Sequence, residues 1–203
     1  MKTENKPASK THAERSAETR GKIVDAVVVC IAELGLKKTT TNAIAERAGV
    51  TWGALQHHFG GLNGCLIAAF NESFGRFVKT LGEPPSPKEV LSKRVEIFLE
   101  RAWSHYSSAH YMSMFQLLLN DVFEADDKQW QQSQQNIILA MDDVWKRFFS
   151  DVVSDKEKRR MLARYTHSVL TGLAVSHAYQ WGSKQMKEEL QLLQISLLSQ
   201  MES

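Results

Sequence analysis

Apolar residues recur at helical spacing along almost the whole chain, and this periodicity restricts the fold more than any other feature. The clearest example begins at residue 23 and consists of Ile23, Ala26, Val27, Cys30, Ile31 and Leu34. This spacing places the side chains on one face of an α-helix, and Gly35 follows at the position of a C-cap. Sustained period-two alternation and hairpin turns such as Asn-Gly between apolar runs, which mark strands, are nearly absent. The sequence therefore predicts an all-α fold.

The composition narrows the class of protein. The chain has 203 residues, 43% of them hydrophobic, which is enough for a substantial core. It contains no run of eighteen apolar residues and begins with a polar stretch, so we expect a cytoplasmic protein with no membrane association. The net charge of +2 is too small to indicate a nucleic-acid partner by itself.

The two cysteines, Cys30 and Cys65, both lie in apolar helical patterns. They form no CxxC pair and belong to no His/Cys cluster with the spacing of a zinc site. We therefore expect two buried thiols, no metal site and no cofactor.

Changes in composition predict three regions. Residues 1–18 are polar and rich in Lys, Glu, Ser and Thr, as is typical of a disordered basic arm. The segment 82–87 contains three prolines, which interrupt the helical pattern, so we place a boundary there and expect a region 19–82 and a region 83–203. Within the last region the periodicity predicts helices near residues 88–107, 109–120, 127–150, 155–181 and 185–200.

The segment from Thr40 to Phe59 meets the requirements of a helix-turn-helix. Two short helical patterns, the first capped by a threonine, are separated by Gly49, Val50 and Thr51. Gly49 can adopt the positive φ of a tight turn, and Thr51 is suited to cap the second helix. The predicted buried face contains Ile44, Ala45, Ala48, Val50, Leu55 and Phe59, and the outward face Trp52, Gly53, Gln56, His57 and His58. In such a motif the second helix enters the major groove of DNA.

This pattern resembles that of the tetracycline-repressor (TetR) family over about residues 20–75. The matching positions are Thr40, Ile44, Ala45, Ala48, Gly49, Val50, Thr51, Gly53, His58 and Phe59. The resemblance implies nine helices, a homodimer, a double-stranded DNA operator with palindromic sequence, and a small-molecule inducer that binds in the second domain. It also implies a ligand-responsive repressor.

The expected DNA contacts follow from the motif and the resemblance. They are Lys37, Lys38, Thr40, Thr41, Asn42, Thr51, Trp52, Gly53, Ala54, Gln56, His57 and His58. The hydroxyl of Thr51 and the first free N–H groups of its helix lie where a phosphate can bind. The arm can add affinity through counterion release by Lys6, Lys10, Arg15, Arg20 and Lys22.

The chain departs from the family pattern at two positions that usually hold the DNA backbone. Gln56 stands where an aromatic residue is usual, and Leu62 stands where a lysine often opens the fourth helix. Gln56 can contact a phosphate or read an adenine edge. For Trp52, packing against a neighbouring helix and contact with a base methyl group or a sugar remain equal alternatives.

The C-terminal half is rich in aromatic and Met residues, most of which are expected to form core. Where the family places its pocket, we expect an apolar or aromatic inducer to contact Trp103, Tyr106, Tyr111, Met114, Phe115, Trp145 and His167.

The last two helices are expected to form the homodimer. Their apolar and small residues include Leu170, Gly172, Leu173, Ala174, His177, Ala178, Leu190, Leu193, Leu197 and Leu198. In the family these helices build a four-helix bundle across the dimer. The alternative is that the same residues form intramolecular core.

Enzymatic activity is not expected. The chain has no GxSxG, no phosphate-binding glycine loop and no HExxH. The alternative to a regulator is a helical protein-binding module whose DNA-reading surface has decayed, which the departures at Gln56 and Leu62 leave open.

Overall fold

The computed structural model describes residues 11–120, 123–124, 126–179 and 186–202. Within these residues the chain forms nine α-helices, one short 3-10 helix at Leu36–Lys38, and no strand. The α-helices are α1 (His12–Leu34), α2 (Thr41–Ala48), α3 (Trp52–Phe59), α4 (Leu62–Leu81), α5 (Leu91–Tyr106), α6 (Ala109–Leu119), α7 (Lys128–Phe149), α8 (Lys156–Ala178) and α9 (Met186–Glu202). The all-α prediction and the implied number of helices are confirmed.

The chain divides into two compact units, residues 1–69 and 70–203. The division lies inside α4, whereas the sequence suggested a boundary at the proline segment near residue 82. The difference arises because Phe77 and Leu81 are buried in the core of the second unit, with Phe74 packed against it. The proline segment is therefore a connection between α4 and α5 within one unit.

Helix α1 begins earlier than the sequence suggested. Thr11 caps it: its hydroxyl accepts a hydrogen bond from the Glu14 N–H at 3.2 Å, and the Glu14 carboxylate accepts one from the Thr11 N–H at 2.7 Å. This reciprocal capping box starts the helix in a stretch, residues 12–18, that has no apolar face of its own. The expectation of a disordered arm is therefore wrong for residues 12–18, while Lys6 and Lys10 lie outside the described residues.

The first unit has an apolar core shared by α1, α2, α3 and the start of α4. Ile23, Ile44 and Leu55 are fully buried in it. Cys30 and Cys65 are free, buried thiols, and burial raises the pKa of Cys65 to about 11. Gly64 allows a close approach, since a Cβ there would lie 1.9 Å from the carbonyl oxygen of Phe59.

The second unit is built around aromatic residues of α5 and α7. The ring of Phe98 contacts the rings of Trp145, Phe148 and Phe149 in edge-to-face geometry, with centroids 5.2 to 5.5 Å apart. Such contacts add to the gain from burying these large side chains. Among the described helices, none combines the length and the apolar character needed to cross a membrane.

Candidate functional site

The turn between α2 and α3 has the geometry that the sequence predicts. The hydroxyl of Thr40 accepts a hydrogen bond from the Ala43 N–H at 3.2 Å, and that of Thr51 accepts one from the Ala54 N–H at 3.1 Å. Gly49 ends α2 in the left-handed region, with φ 65° and ψ 36°. The Val50 N–H then donates to the carbonyl of Ala45 at 3.0 Å. These contacts, each within five residues of chain, fix the backbone geometry of the turn.

Helix α3 buries one face and exposes the other. Leu55 and Phe59 are buried, as predicted. Trp52 is 55% exposed, so within its unit the ring is directed to solvent and is not packed against a neighbouring helix. Of the other expected contacts on this segment, Thr51, Gly53, Gln56 and His57 are exposed, and Ala54 and His58 are half-buried. We call the exposed set from Thr51 to His57 the outward face of α3.

Gln56 has a structural role that sequence reasoning missed. Its side-chain N–H₂ donates to the carbonyl of Gly60 at 3.0 Å, four residues along the chain. Gly60 is the C-cap of α3, with φ 71°. The glutamine therefore helps to close the C-terminal end of α3, and the signal was a glutamine placed one turn before a C-cap glycine.

Arg20 is also placed differently from expectation. We expected it in a basic arm that contacts phosphates, but it belongs to α1, and its Nη1 donates to the carbonyl of His58 at 3.4 Å. Its guanidinium lies 4.6 Å from the ring centre of Phe59. A cation at the C-terminal end of a helix interacts favourably with the helix dipole and with an aromatic face. Arg20 therefore links α1 to the end of α3.

The remaining expected contacts lie around the start of α2. Lys37 and Lys38 are exposed in the 3-10 helix, Thr40 and Asn42 are exposed, and Thr41 is half-buried. The two lysines thus stand within one turn of the free N–H groups that open α2. Leu62 is the first residue of α4, as the sequence suggested.

The second unit contains a cavity of about 510 Å³. Of the seven predicted contacts, five line it, namely Tyr106, Tyr111, Met114, Phe115 and His167. Trp103 and Trp145 do not. Trp145 lies one turn further along α7 than the lining residue Met141, and Phe98 covers it; the ring of Trp103 instead contacts that of His177, 5.8 Å away.

We call the lining residues His105, Tyr106, Tyr111 and His167 the inner wall of the cavity. Both of its tyrosine hydroxyls are hydrogen-bonded. The Tyr106 hydroxyl and Nδ1 of His167 share a hydrogen bond of 2.7 Å, and the hydroxyls of Tyr111 and Thr171 share another of 2.7 Å. Burial raises the pKa of both phenols. Burial also lowers the pKa of His167, and it lowers that of the lining residue His105 to about 4. At neutral pH the inner wall therefore carries no charge.

One part of the cavity lining is charged. Arg160 donates from Nε to both carboxylate oxygens of Asp142, at 2.8 and 3.0 Å, and from Nη1 to Glu157 at 3.1 Å. These contacts hold the pKa of Asp142 below its usual value. Arg164, one turn further along α8, lines the same cavity.

Sequence reasoning missed these charged residues and the aromatic wall from α4. That wall consists of Phe70, Phe74 and Phe77. The residues are spaced by three and four, which indicates one face of a helix but not what that face contacts.

The structure also assigns the apolar residues of α8 and α9. Leu170, Ala174, Leu193 and Leu197 are buried within the second unit, which supports the intramolecular alternative for these four. Leu173, Leu190 and Leu198 are half-buried, and His177, Gly172 and Ala178 are exposed. A different set of large apolar side chains is exposed on the two helices, namely Met161, Tyr165, Leu192 and Ile195, each 42 to 66% exposed. We call these four residues the outer face of α8 and α9.

Comparison with known proteins agrees with this architecture. Residues 23–69 match the family model of bacterial regulatory proteins, tetR family. The chain is 27% identical over 92 residues to the fatty acid metabolism regulator protein of Bacillus subtilis, a match that covers 45% of this chain and 47% of that protein. It is 30% identical over 106 residues to the HTH-type transcriptional regulator CymR of Pseudomonas putida, covering 48% of this chain and 52% of that protein. The matches thus span about half the length of these curated relatives.

Among solved structures, GusR of Salmonella enterica superposes with a TM-score of 0.67 at 18% identity, over 91% of this chain and 96% of that chain. This similarity extends the shared fold from the matched N-terminal residues to both units. Together with the geometry of α2 and α3, the match identifies residues 23–69 as a region of the tetR family of bacterial regulatory proteins, in a chain whose fold is shared with GusR.

Proposed function

We propose that this protein is a transcriptional repressor that binds a palindromic DNA operator as a homodimer and releases it when a small molecule fills the cavity. The observation that carries the proposal is the outward face of α3, where Trp52 is 55% exposed at the start of a helix held by its own caps. A helix presented in this way fits the major groove.

The chemistry of this region matches the two kinds of contact that DNA offers. Lys37 and Lys38 are exposed just before α2, and the capped N-termini of α2 and α3 direct free N–H groups outward. Both features favour phosphates. Trp52 supplies an apolar surface for a thymine methyl group, and His57 a donor or acceptor for a base edge.

The homodimer is proposed from the outer face of α8 and α9. Leu192 and Ile195 are 66% and 63% exposed, which is unusual for large apolar residues on neighbouring positions of one helix face. The hydroxyls of Tyr165 on α8 and Ser196 on α9 are 3.1 Å apart, so the two helices present one continuous surface. A twofold dimer through this surface would carry two α3 helices, as a palindromic operator requires.

The cavity supplies the proposed control. Its volume of about 510 Å³ lies in the range typical of small-molecule sites, and its lining is largely apolar and aromatic. A ligand changes DNA affinity only by as much as its affinity differs between the DNA-binding and the released state.

The proposal is tested by fluorescence anisotropy with the full-length protein and labelled DNA from upstream of its own gene. We expect specific binding that weakens steeply between about 50 and 200 mM salt, since each phosphate contact releases a counterion. Trp52→Ala should weaken specific binding about tenfold or more while leaving the thermal stability unchanged, because the ring is exposed. Val90→Ala, which removes an apolar side chain that is 67% exposed at the N-cap of α5, is the matched control.

A second candidate is a protein-binding module with a decayed DNA-reading surface. It is favoured by one observation, the hydrogen bond that ties Gln56 to Gly60 and withdraws a polar group from the outward face. Absence of any salt-sensitive binding to duplex DNA, in a sample that is folded and dimeric, would support this candidate and contradict the repressor.

A further inference from the structure

The charged side chains of the cavity are unequally paired, and this inequality indicates which ligands it accepts. We propose that the cavity binds an amphiphile with a single carboxylate head group, held by Arg164, and an apolar or aromatic body. The inference rests on the proposed function of the cavity as a ligand site and specifies the chemical class of that ligand.

The two acids of the lining are already hydrogen-bonded to Arg160. Asp142 accepts three hydrogen bonds from Arg160, including one of 2.5 Å from Nη2, and Glu157 accepts one from the same guanidinium at 3.1 Å. A cationic ligand would have to displace Arg160 from this bidentate geometry, which is the strong form of such a pair. Among the described residues, both carboxylates of the lining are therefore engaged by Arg160 before a ligand binds.

Arg164 is in the opposite situation. It lines the same cavity, and within the part of the chain that the structure describes it forms no hydrogen bond and no ion pair. It lies one turn after Arg160 on α8, so the two residues share one face of the helix. Both acids hydrogen-bond to Arg160, so among the described residues Arg164 is the charged group of the lining without a hydrogen-bonding partner. A carboxylate on the ligand would provide its missing partner.

The rest of the lining limits the ligand to one charge. The walls contributed by Phe70, Phe74 and Phe77 are apolar, and the polar atoms of Tyr106 and His167 satisfy each other at 2.7 Å. Burial lowers the pKa of His105 to about 4, so it is neutral at physiological pH. A second charge on the ligand would be buried without a partner, which is costly. An apolar body with one anionic end satisfies both parts of the lining.

Three probes that share one body and differ only in the head group test the inference. They are 4-butylbenzoate, 4-butylbenzamide and 4-butylbenzylamine, which are anionic, neutral and cationic near pH 7. Their affinities for the full-length protein are measured by titration calorimetry in the absence of DNA. We expect the benzoate to bind roughly threefold to tenfold more tightly than the amide, the range for a charge-assisted pair that is partly open to solvent, and the amine to bind least.

Variants then assign the preference to one residue. Arg164→Gln should bring the benzoate affinity to that of the amide and leave the amide affinity unchanged. Lys146→Gln removes an equally exposed positive charge from α7 outside the cavity lining and should preserve the preference. Asp142→Asn removes the negative charge that pairs with Arg160 and should increase the preference for the benzoate over the amide.

Equal affinities for the three probes, tighter binding of the amine, no binding of any probe, or an unchanged preference in Arg164→Gln would each overturn the inference. The readout is independent of DNA. Loss of operator binding with an intact benzoate preference would therefore contradict only the proposed function, whereas promoter binding without any head-group preference would contradict only this inference.

Discussion

The hydroxyl of Tyr106 lies 2.7 Å from Nδ1 of His167, and this hydrogen bond joins α5 to α8 across the inner wall of the cavity. Tyr106 is buried and the hydrogen bond is partly buried; burial lowers the pKa of His167 and raises that of Tyr106. The pair is therefore a neutral hydrogen bond at physiological pH, and each group depends on the other.

Tyr106→Phe should lower the free energy of unfolding by about 1 to 2 kcal/mol, because it leaves the histidine nitrogen without its partner. Urea denaturation measures the change. Tyr165→Phe is the control: its hydroxyl bonds Ser196 at 3.1 Å on the exposed outer face, and its removal should cost less than about 0.5 kcal/mol. Equal losses in the two variants would contradict a special role for the buried pair.

The buried His105 should make the protein lose stability in mild acid. Its folded pKa of about 4, lowered chiefly by burial, lies below the value of about 6.5 for an exposed histidine. Between these two values the unfolded chain binds a proton that the folded chain does not. The free energy of unfolding is therefore highest above about pH 6.5 and decreases as the pH falls, by up to about 3 kcal/mol near pH 4.

Urea midpoints recorded between about pH 7 and 5 measure this slope. In His105→Gln, which cannot take up a proton, the dependence of the unfolding free energy on pH should become shallower. Part of the remaining dependence should come from His167, because burial lowers its pKa as well. A slope that is the same in the variant would show that other groups control the acid sensitivity.

The buried Arg94 depends on Asp151. Arg94 is 3% exposed, its Nη1 and Nη2 donate to the Asp151 carboxylate at 2.7 and 2.8 Å, and Nη2 also contacts the Phe148 carbonyl. Asp151→Asn removes the negative charge and leaves a cation inside the core. We expect a loss of about 3 kcal/mol in the free energy of unfolding.

Asp143→Asn provides the comparison for that variant. Asp143 pairs with Arg147 on the surface of α7 at 3.1 Å, and such exposed pairs contribute about 1 kcal/mol or less. Chemical denaturation of both variants at neutral pH distinguishes the two cases. A loss of similar size at both positions would mean that the Arg94 pair is no stronger than a surface pair.

Gly49 is needed for its backbone conformation and not for space. Its φ of 65° is unfavourable for residues with a Cβ, yet a Cβ at this position would meet no atom within 4 Å. Gly49→Ala should therefore cost about 1 to 2 kcal/mol and weaken DNA binding by disturbing the α2–α3 turn.

Gly21→Ala is the matched control, because Gly21 lies in the regular helix α1 and a Cβ there also meets nothing. That variant should be more stable by about 0.5 to 1 kcal/mol. Thermal melts of the two variants give the comparison; a stabilising effect of Gly49→Ala would exclude the proposed role of the left-handed turn.

Ile195→Asp should dissociate the proposed dimer. Ile195 is 63% exposed in the chain, so a charged residue there does not disturb the core, but it would place an unpaired charge in an interface between two copies. Light scattering after size exclusion should show a monomer, and operator affinity should fall with it. Leu139→Asp, at a 54% exposed position of α7, should remain dimeric. A dimer that survives Ile195→Asp places the interface elsewhere.

The sequence by itself determined the all-α character of the chain and the helix-turn-helix motif. The caps at Thr40 and Thr51 and the positive φ of Gly49 act within four residues of chain, so local patterns are sufficient to predict them. The resemblance to one family extended this prediction to the number of helices. The start of α1 is also encoded locally, by the capping box of Thr11 and Glu14. Because residues 12–18 have no apolar face, the sequence pattern was interpreted as a disordered arm.

Only the tertiary structure decided which residues of the second unit meet. Periodicity shows that a side chain lies on the apolar face of its helix, but not which other helix covers it. Trp145 was therefore assigned to the cavity and lies in the core, while Arg160 and Arg164, which the sequence analysis did not single out, line the cavity. For the same reason, the sequence does not show that Leu193 is buried and Ile195 exposed on α9. Their burial depends on contacts with helices about a hundred residues away along the chain.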